Sequence, residues 1–205
     1  MDNQSITHRV IRTNSVSISP GNIKLGSIPS VSLIPWHSCR KDLPCFAKCY
    51  SRKMYIRKPS CRISWTRNLE AYLLNSEKYF ADIDHFLTWN RPRFFRWHVA
   101  GDFPDQNYLN KVILLARKHK SIKFLAFTKR FDFRLPTPPN NFRLILSAWP
   151  GYEIPTRLTR RFKVAWMQNG TETRIPRTAV KCGGDCQACL ECWKPNKRNV
   201  YFDQH

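Results

Sequence analysis

Cys182, Cys186, Cys189 and Cys192 fall within eleven residues as C-x3-C-x2-C-x2-C, and no other feature constrains this chain as tightly. Four thiols that close cannot each find a separate buried niche. Gaps of two residues let successive sulfurs turn around one metal ion or one cubane, and Gly183 and Gly184 free the backbone between the first two. Zinc sites usually pair two separated C-x2-C knuckles, whereas C-x2-C-x2-C matches the ferredoxin-type wrap. A [4Fe–4S] cluster is therefore expected here, with zinc as the alternative. A second group, Cys39, Cys45 and Cys49, is spaced C-x5-C-x3-C, with Cys61 as an outlying fourth candidate. Three thiolates suit a cubane that keeps one iron open, and a zinc knuckle is again the alternative.

Eight cysteines with no charged-then-apolar pattern at Met1–Ser5 point to a reducing compartment, so metal ligation is favoured over disulfides. A cytoplasmic protein is expected, with no membrane span, because no run of eighteen apolar residues occurs. At 205 residues the chain can bury a core without covalent staples. Its 35 Lys and Arg against 14 Asp and Glu give a net charge of +21, while 42% of residues are apolar, which excludes a disordered basic tail. Self-repulsion at that charge calls for an anionic partner, and nucleic acid is the first expectation.

Residues 1–35 read as extended segments broken at Pro20-Gly21 and Pro29. Leu69, Tyr72, Leu73, Phe80, Ile83 and Leu87 recur near helical spacing and predict one amphipathic helix over about 65–88. Phe95, Trp97 and Val99 alternate with Arg96 and His98 as a strand ending at Gly101-Asp102. Asp105 then caps a helix carrying Tyr108, Leu109, Val112, Ile113, Leu115 and Ala116, and Ile122–Phe127 forms the next strand. This is a βαβ unit with parallel strands. Leu144–Ala148 and Val164–Trp166 predict two more strands, while residues 128–141 have little helical periodicity, so one crossover is expected to be irregular or missing. Ligands of such folds sit at the carboxyl ends of strands. Four such ends are legible: Ala100-Gly101-Asp102, Thr128-Lys129-Arg130, Trp149-Pro150-Gly151 and Gln168-Asn169-Gly170. His98, just before the first, is a candidate ligand or acid–base group, or else a hydrogen-bonded structural residue.

Nine Lys or Arg stand between Arg40 and Arg67 against one acid, Asp42. Arg40, Lys41, Lys48, Arg52, Lys53, Arg57, Lys58 and Arg62 are candidate phosphate contacts, with Tyr55 a candidate stacking residue. A solvated helix face is the plainer reading of such a run.

Together, Lys24–Pro35 (KLGSIPSVSLIP), Cys39, Cys45, Cys49-Tyr50, His98–Phe103 (HVAGDF), Phe127-Thr128-Lys129 and the tail ending at Cys192-Trp193 resemble the phage and plasmid "gene product eighty-eight" family. That family is similar to truncated radical-SAM proteins. The resemblance implies an α/β fold built as an incomplete radical-SAM-like (β/α) barrel over residues 1–173, followed by a Cys-rich cluster-binding segment, 174–205. It implies a cluster on Cys39, Cys45 and Cys49. Gly101 and Asp102, with His98 beside them, would stand where the S-adenosylmethionine amine is met. The superfamily's usual C-x3-C-x2-C is replaced by C-x5-C-x3-C, and its Gly-Gly-Glu-Pro type of turn by Gly101-Asp102-Phe103.

Two functions follow as expectations. One is an iron–sulfur nucleic-acid-binding protein of phage or mobile-element origin, or its zinc-binding counterpart. The other is a radical-SAM-like enzyme acting on nucleic acid or protein.

Overall fold

In the computed structural model, residues 11–12, 15–172 and 174–204 are described; Met1–Ser5, on which the expectation about export rests, lie outside them. The described chain forms β1 (Ile11–Arg12), β2 (Ser17–Ile18), β3 (Ser30–Val31), α1 (Pro35–Ser38), α2 (Tyr50–Arg57), α3 (Pro59–Leu74), α4 (Ser76–Asn90), β4 (Phe94–Trp97), α5 (Gln106–Lys118), β5 (Lys123–Thr128), β6 (Phe142–Ala148), α6 (Thr156–Thr159), β7 (Val164–Gln168), β8 (Val180–Lys181), α7 (Cys186–Cys189), a 3-10 turn (Glu191–Trp193) and β9 (Val200–Asp203). β1 and β2 pair antiparallel. The other seven strands form one all-parallel sheet in the order β3-β4-β5-β6-β7-β9-β8, as the α/β reading requires.

The strands are added in chain order until β7, so successive crossovers pack on one side of the sheet. Alternation along each strand sorts the side chains. Phe95 and Trp97 of β4, Phe124 and Ala126 of β5, and Leu144 and Leu146 of β6 join the core under α3, α4 and α5. Leu125, Ile145 and Ala165 belong to a second cluster on the opposite face, closed by Trp193, Val200, Cys186 and Cys192 of the C-terminal segment. Residues 174–204 thus supply two strands and the cover of one sheet face.

Asp105 caps α5 as expected, its carboxylate accepting from Tyr108 N–H at 2.8 Å. The single helix expected over 65–88 is two helices. Asn75 adopts extended backbone between α3 and α4, and its side chain accepts from Lys78 N–H, which starts a new helix. Leu73, counted in the apolar stripe, is 69% exposed. The connection from β5 to β6 carries no helix, in line with its missing periodicity. Among the described residues no helix is long and apolar enough to cross a membrane.

Candidate functional site

A cavity of about 220 Å³ opens at the carboxyl ends of the parallel strands. Three of the four strand ends legible in the sequence reach it, through Gly101 and Asp102, Thr128 and Lys129, and Trp149. From the fourth strand it is Met167, one residue inside β7, that faces the space. Cys39, Cys45 and Cys49 line one part of its wall, and Cys182, Cys186 and Cys192 another. The two cysteine groups, far apart in sequence, therefore share one chamber. Cys189 is exposed and is not among the lining residues, and Cys61 lies on α3, away from the wall.

The first group is placed by α1 and α2. The backbone N–H of Cys39 donates to Pro35 O at 2.7 Å at the end of α1, and Cys49 is the N-cap of α2. Tyr50, next in the chain, donates its hydroxyl to Val99 O at 2.8 Å, pinning α2 to the end of β4. The second group is placed by the N-terminal loop. Cys186 N–H donates to Lys24 O at 2.8 Å, and Ser27 N–H donates to Gln187 Oε1 at 3.0 Å. Gly26 stands at φ +61, and a Cβ there would come within 1.8 Å of Gln187 Oε1, so any side chain at this position would displace the Gln187 amide from its place beside Ser27. This gives KLGS in the N-terminal run a physical role: it docks the C-terminal cysteines.

Burial pushes the Cys39 thiol well above the usual range, with Asp102 adding to the rise and Lys129 opposing it. Cys45 is raised by burial against the same lysine. In the second group burial raises Cys186 and pushes Cys192 up to about 12, with Arg96 opposing both and Lys163 opposing the rise at Cys192. Buried thiols of this kind stay protonated at neutral pH unless a metal takes the proton's place. The cations match that outcome. Lys129 attends the first group, and Arg96 and the buried Lys163 attend the second. Lys163 Nζ donates to the carbonyl of Glu191 at 2.9 Å, and Arg96 Nε is buried without a hydrogen-bond partner. Among the described residues no three His, Cys, Asp or Glu side chains stand in ligand positions around one ion. The donor chemistry fits a soft metal or cluster: grouped sulfurs beside the buried Lys163 and the half-buried Lys129 and Arg96, whose charges would offset thiolate charge.

The remaining site residues are held tightly. Asp102 is 5% exposed; its carboxylate accepts from Phe103 N–H and Thr128 Oγ1–H at 2.8 and 2.7 Å and from Lys129 N–H at 2.7 Å. Burial raises its pKa, and these hydrogen bonds oppose the rise. Gly101 has φ +86, and a Cβ there would meet Ser38 Oγ at 2.6 Å and Leu33 O at 2.9 Å. Its backbone freedom lets the end of β4 close on the loop that carries Cys39. His98 is 3% exposed, lies in the left-handed region at φ 54 and lines the chamber. Lys24, Lys48, Arg96, Lys129 and Ser147 also line it. The sequence nominates Lys48 as a phosphate contact and marks Lys129 only as part of a strand end; it does not nominate Lys24, Arg96 or Ser147 as site residues.

Of the candidate phosphate contacts, Lys41, Lys48, Arg52, Lys53, Arg57, Lys58 and Arg62 are exposed, mostly along α2 and the start of α3. Arg40 is ion-paired with Asp42 and Asp132. Tyr55 is half-buried. Its ring packs edge-on against Trp36 at 4.6 Å and its hydroxyl pairs with Thr66, so its first duty is packing rather than stacking on a base. The exposed aromatic on this helix is Tyr50.

The chain belongs to the gene product 88 family, whose model matches residues 7–195. No curated protein and no solved structure matches it.

Proposed function

We propose that this member of the gene product 88 family is an iron–sulfur protein of phage or mobile-element origin that binds nucleic acid on the basic face beside its chamber. The observation that carries the reading is the convergence of Cys39, Cys45 and Cys49 with Cys182, Cys186 and Cys192 on one cavity. Thiols scattered for packing alone have no reason to meet there. A [4Fe–4S] cluster at each group would supply redox chemistry or fold stabilisation, with zinc the alternative occupant. α2 starts at the chamber wall with Cys49-Tyr50 and presents Arg52, Lys53 and Arg57 outward, so a bound strand would lie against the first group's rim.

A second reading is supported by the position of the chamber. It lies at the carboxyl ends of parallel strands, on the sheet face opposite α3, α4 and α5, as in an incomplete radical-SAM-like (β/α) barrel. An enzyme acting on nucleic acid or protein would use that space for S-adenosylmethionine. Asp102 already accepts three protein hydrogen bonds, which leaves it little capacity for the cofactor's amine.

Salt dependence tests the nucleic-acid half. Each neutralised phosphate should steepen the fall of log K with log salt by about 0.9 on duplex and about 0.7 on single strands. Charge reversal at Arg52, Lys53, Arg57 and Lys58 should flatten the slope with unchanged folding. Absence of binding to either nucleic acid at low salt would overturn this half.

A further inference from the structure

Alternation along β4 sends Phe95 and Trp97 into the core under α3, α4 and α5 and puts Arg96 on the opposite face, where it lines the chamber. A guanidinium drawn this far out of water normally has a carboxylate beside it. Arg96 has none. Among the described residues no acid pairs with it, and its Nε is buried without a hydrogen-bond partner. What holds it is the ring of Phe127, whose centroid lies 4.6 Å from the guanidinium carbon. Phe127 packs against the same apolar cluster as Cys186 and Cys192, so the cation is kept beside the C-terminal cysteines.

The two cysteine groups sit in different fields. At Cys186 and Cys192 the largest opponent of the burial-driven rise in pKa is Arg96, whereas at Cys39 and Cys45 that place belongs to Lys129, working against Asp102. Lys163 adds a second buried charge on the C-terminal side, its Nζ donating to the carbonyl of Glu191, next to Cys192. The acids nearest in sequence are already engaged. The Glu191 carboxylate accepts from Lys194 Nζ at 2.7 Å and Asn196 Nδ2 at 3.0 Å, and Asp185 accepts from Ala188 N–H at 2.9 Å as the cap of α7. Among the described residues lining the chamber the one carboxylate is Asp102, on the side of the first group. One-electron reduction of a cluster adds one negative charge and neither makes nor breaks a bond, and a fixed cation at low dielectric favours the reduced form. We infer that Arg96 is the counter-charge of the centre held by Cys182, Cys186 and Cys192, and that it makes this centre the first of the two to accept an electron. The inference rests on the iron–sulfur reading above and names what sets the two centres apart.

The test is an anaerobic redox titration followed by electron paramagnetic resonance, in which dithionite supplies the electrons through mediators and iron and sulfide are measured on every sample. The wild type should reduce in two one-electron steps. The Cys39/Cys45/Cys49→Ala variant, which keeps the C-terminal centre, should retain the step at higher potential. Arg96→Gln should lower that step, so that the reduced-to-oxidised ratio at a fixed potential falls at least tenfold, or about 59 mV for a one-electron couple. Arg96→Lys keeps the charge and should restore most of the ratio, and Lys129→Met should lower the other step instead. Packing on Phe127 alone predicts no difference between the Gln and Lys variants, because both lose the planar stack. Full iron content with an unmoved higher step in Arg96→Gln, equal shifts in the Gln and Lys variants, or loss of the higher step with the first cysteine group would overturn this inference alone. A wild type without iron and sulfide would overturn the cluster reading and this inference with it. If Arg96→Gln does not fold, the order of the two steps in the wild type and the cysteine variant decides.

Discussion

Lys129 N–H donates to Asp102 Oδ2 at 2.7 Å, tying the carboxyl end of β5 to that of β4 on the wall that also carries the cysteines. Asp102→Ala would leave this N–H, the Thr128 hydroxyl and the Phe103 N–H without their acceptor. At about 1–3 kcal/mol for each buried donor left unpaired, and with some relief from water in the cavity, a loss of about 2–4 kcal/mol is expected. Urea unfolding followed by circular dichroism checks this. Asp102→Asn, which keeps one acceptor oxygen, should lose less.

His98 makes stability depend on pH with a defined sign. Its folded pKa, about 3, lies below the ordinary value of 6.5. The unfolded chain therefore binds the extra proton first as pH falls. This contribution is complete above pH 6.5 and is lost progressively down to about pH 3, at up to about 1.4 kcal/mol per pH unit. The His98→Asn variant should show a shallower decline across that window when unfolding midpoints are measured at each pH. Parallel curves for the two proteins would mean that His98 takes up a proton in the fold as readily as in the unfolded chain.

Gly101 and Gly183 make a matched pair. Gly101→Ala forces a Cβ to within 2.9 Å of the Leu33 carbonyl at φ +86, whereas a Cβ on Gly183 meets nothing within 4 Å. Gly101→Ala is expected to lower stability by about 1–3 kcal/mol and Gly183→Ala by less than about 0.5. Equal thermal midpoints for the two variants would show that the loop bearing Cys39 can move away from β4.

Much of this architecture can be read from single segments. The alternation of Phe95 and Trp97 with Arg96, and the Asp105 cap, identify β4 and α5 because both signals are local. Asn75 was harder to read, since a break between two helices leaves the apolar period almost intact. β8 and β9 are not legible because Val180–Lys181 and Val200–Asp203 are too short to show a period, and their pairing, with β9 between β7 and β8, is set by distant partners such as Ala165. Spacing identified both cysteine groups, yet nothing local to either one shows that they meet. That convergence depends on the sheet and on the docking of Lys24–Ser27 against Cys186 and Gln187. Lys163 was likewise invisible as a partner of Cys192, because its burial follows from the cover that the C-terminal segment provides.

The most direct test of the account is the iron and acid-labile sulfide content of protein purified strictly without oxygen, with zinc measured on the same sample. Wild type, a Cys39/Cys45/Cys49→Ala variant and a Cys182/Cys186/Cys192→Ala variant should be compared. Two cubanes predict about eight iron and about eight sulfide per wild-type chain, falling to about four of each in either variant. Zinc without sulfide in the wild type, or no bound metal at all, would contradict the claim that the two cysteine groups lining the chamber are iron–sulfur centres.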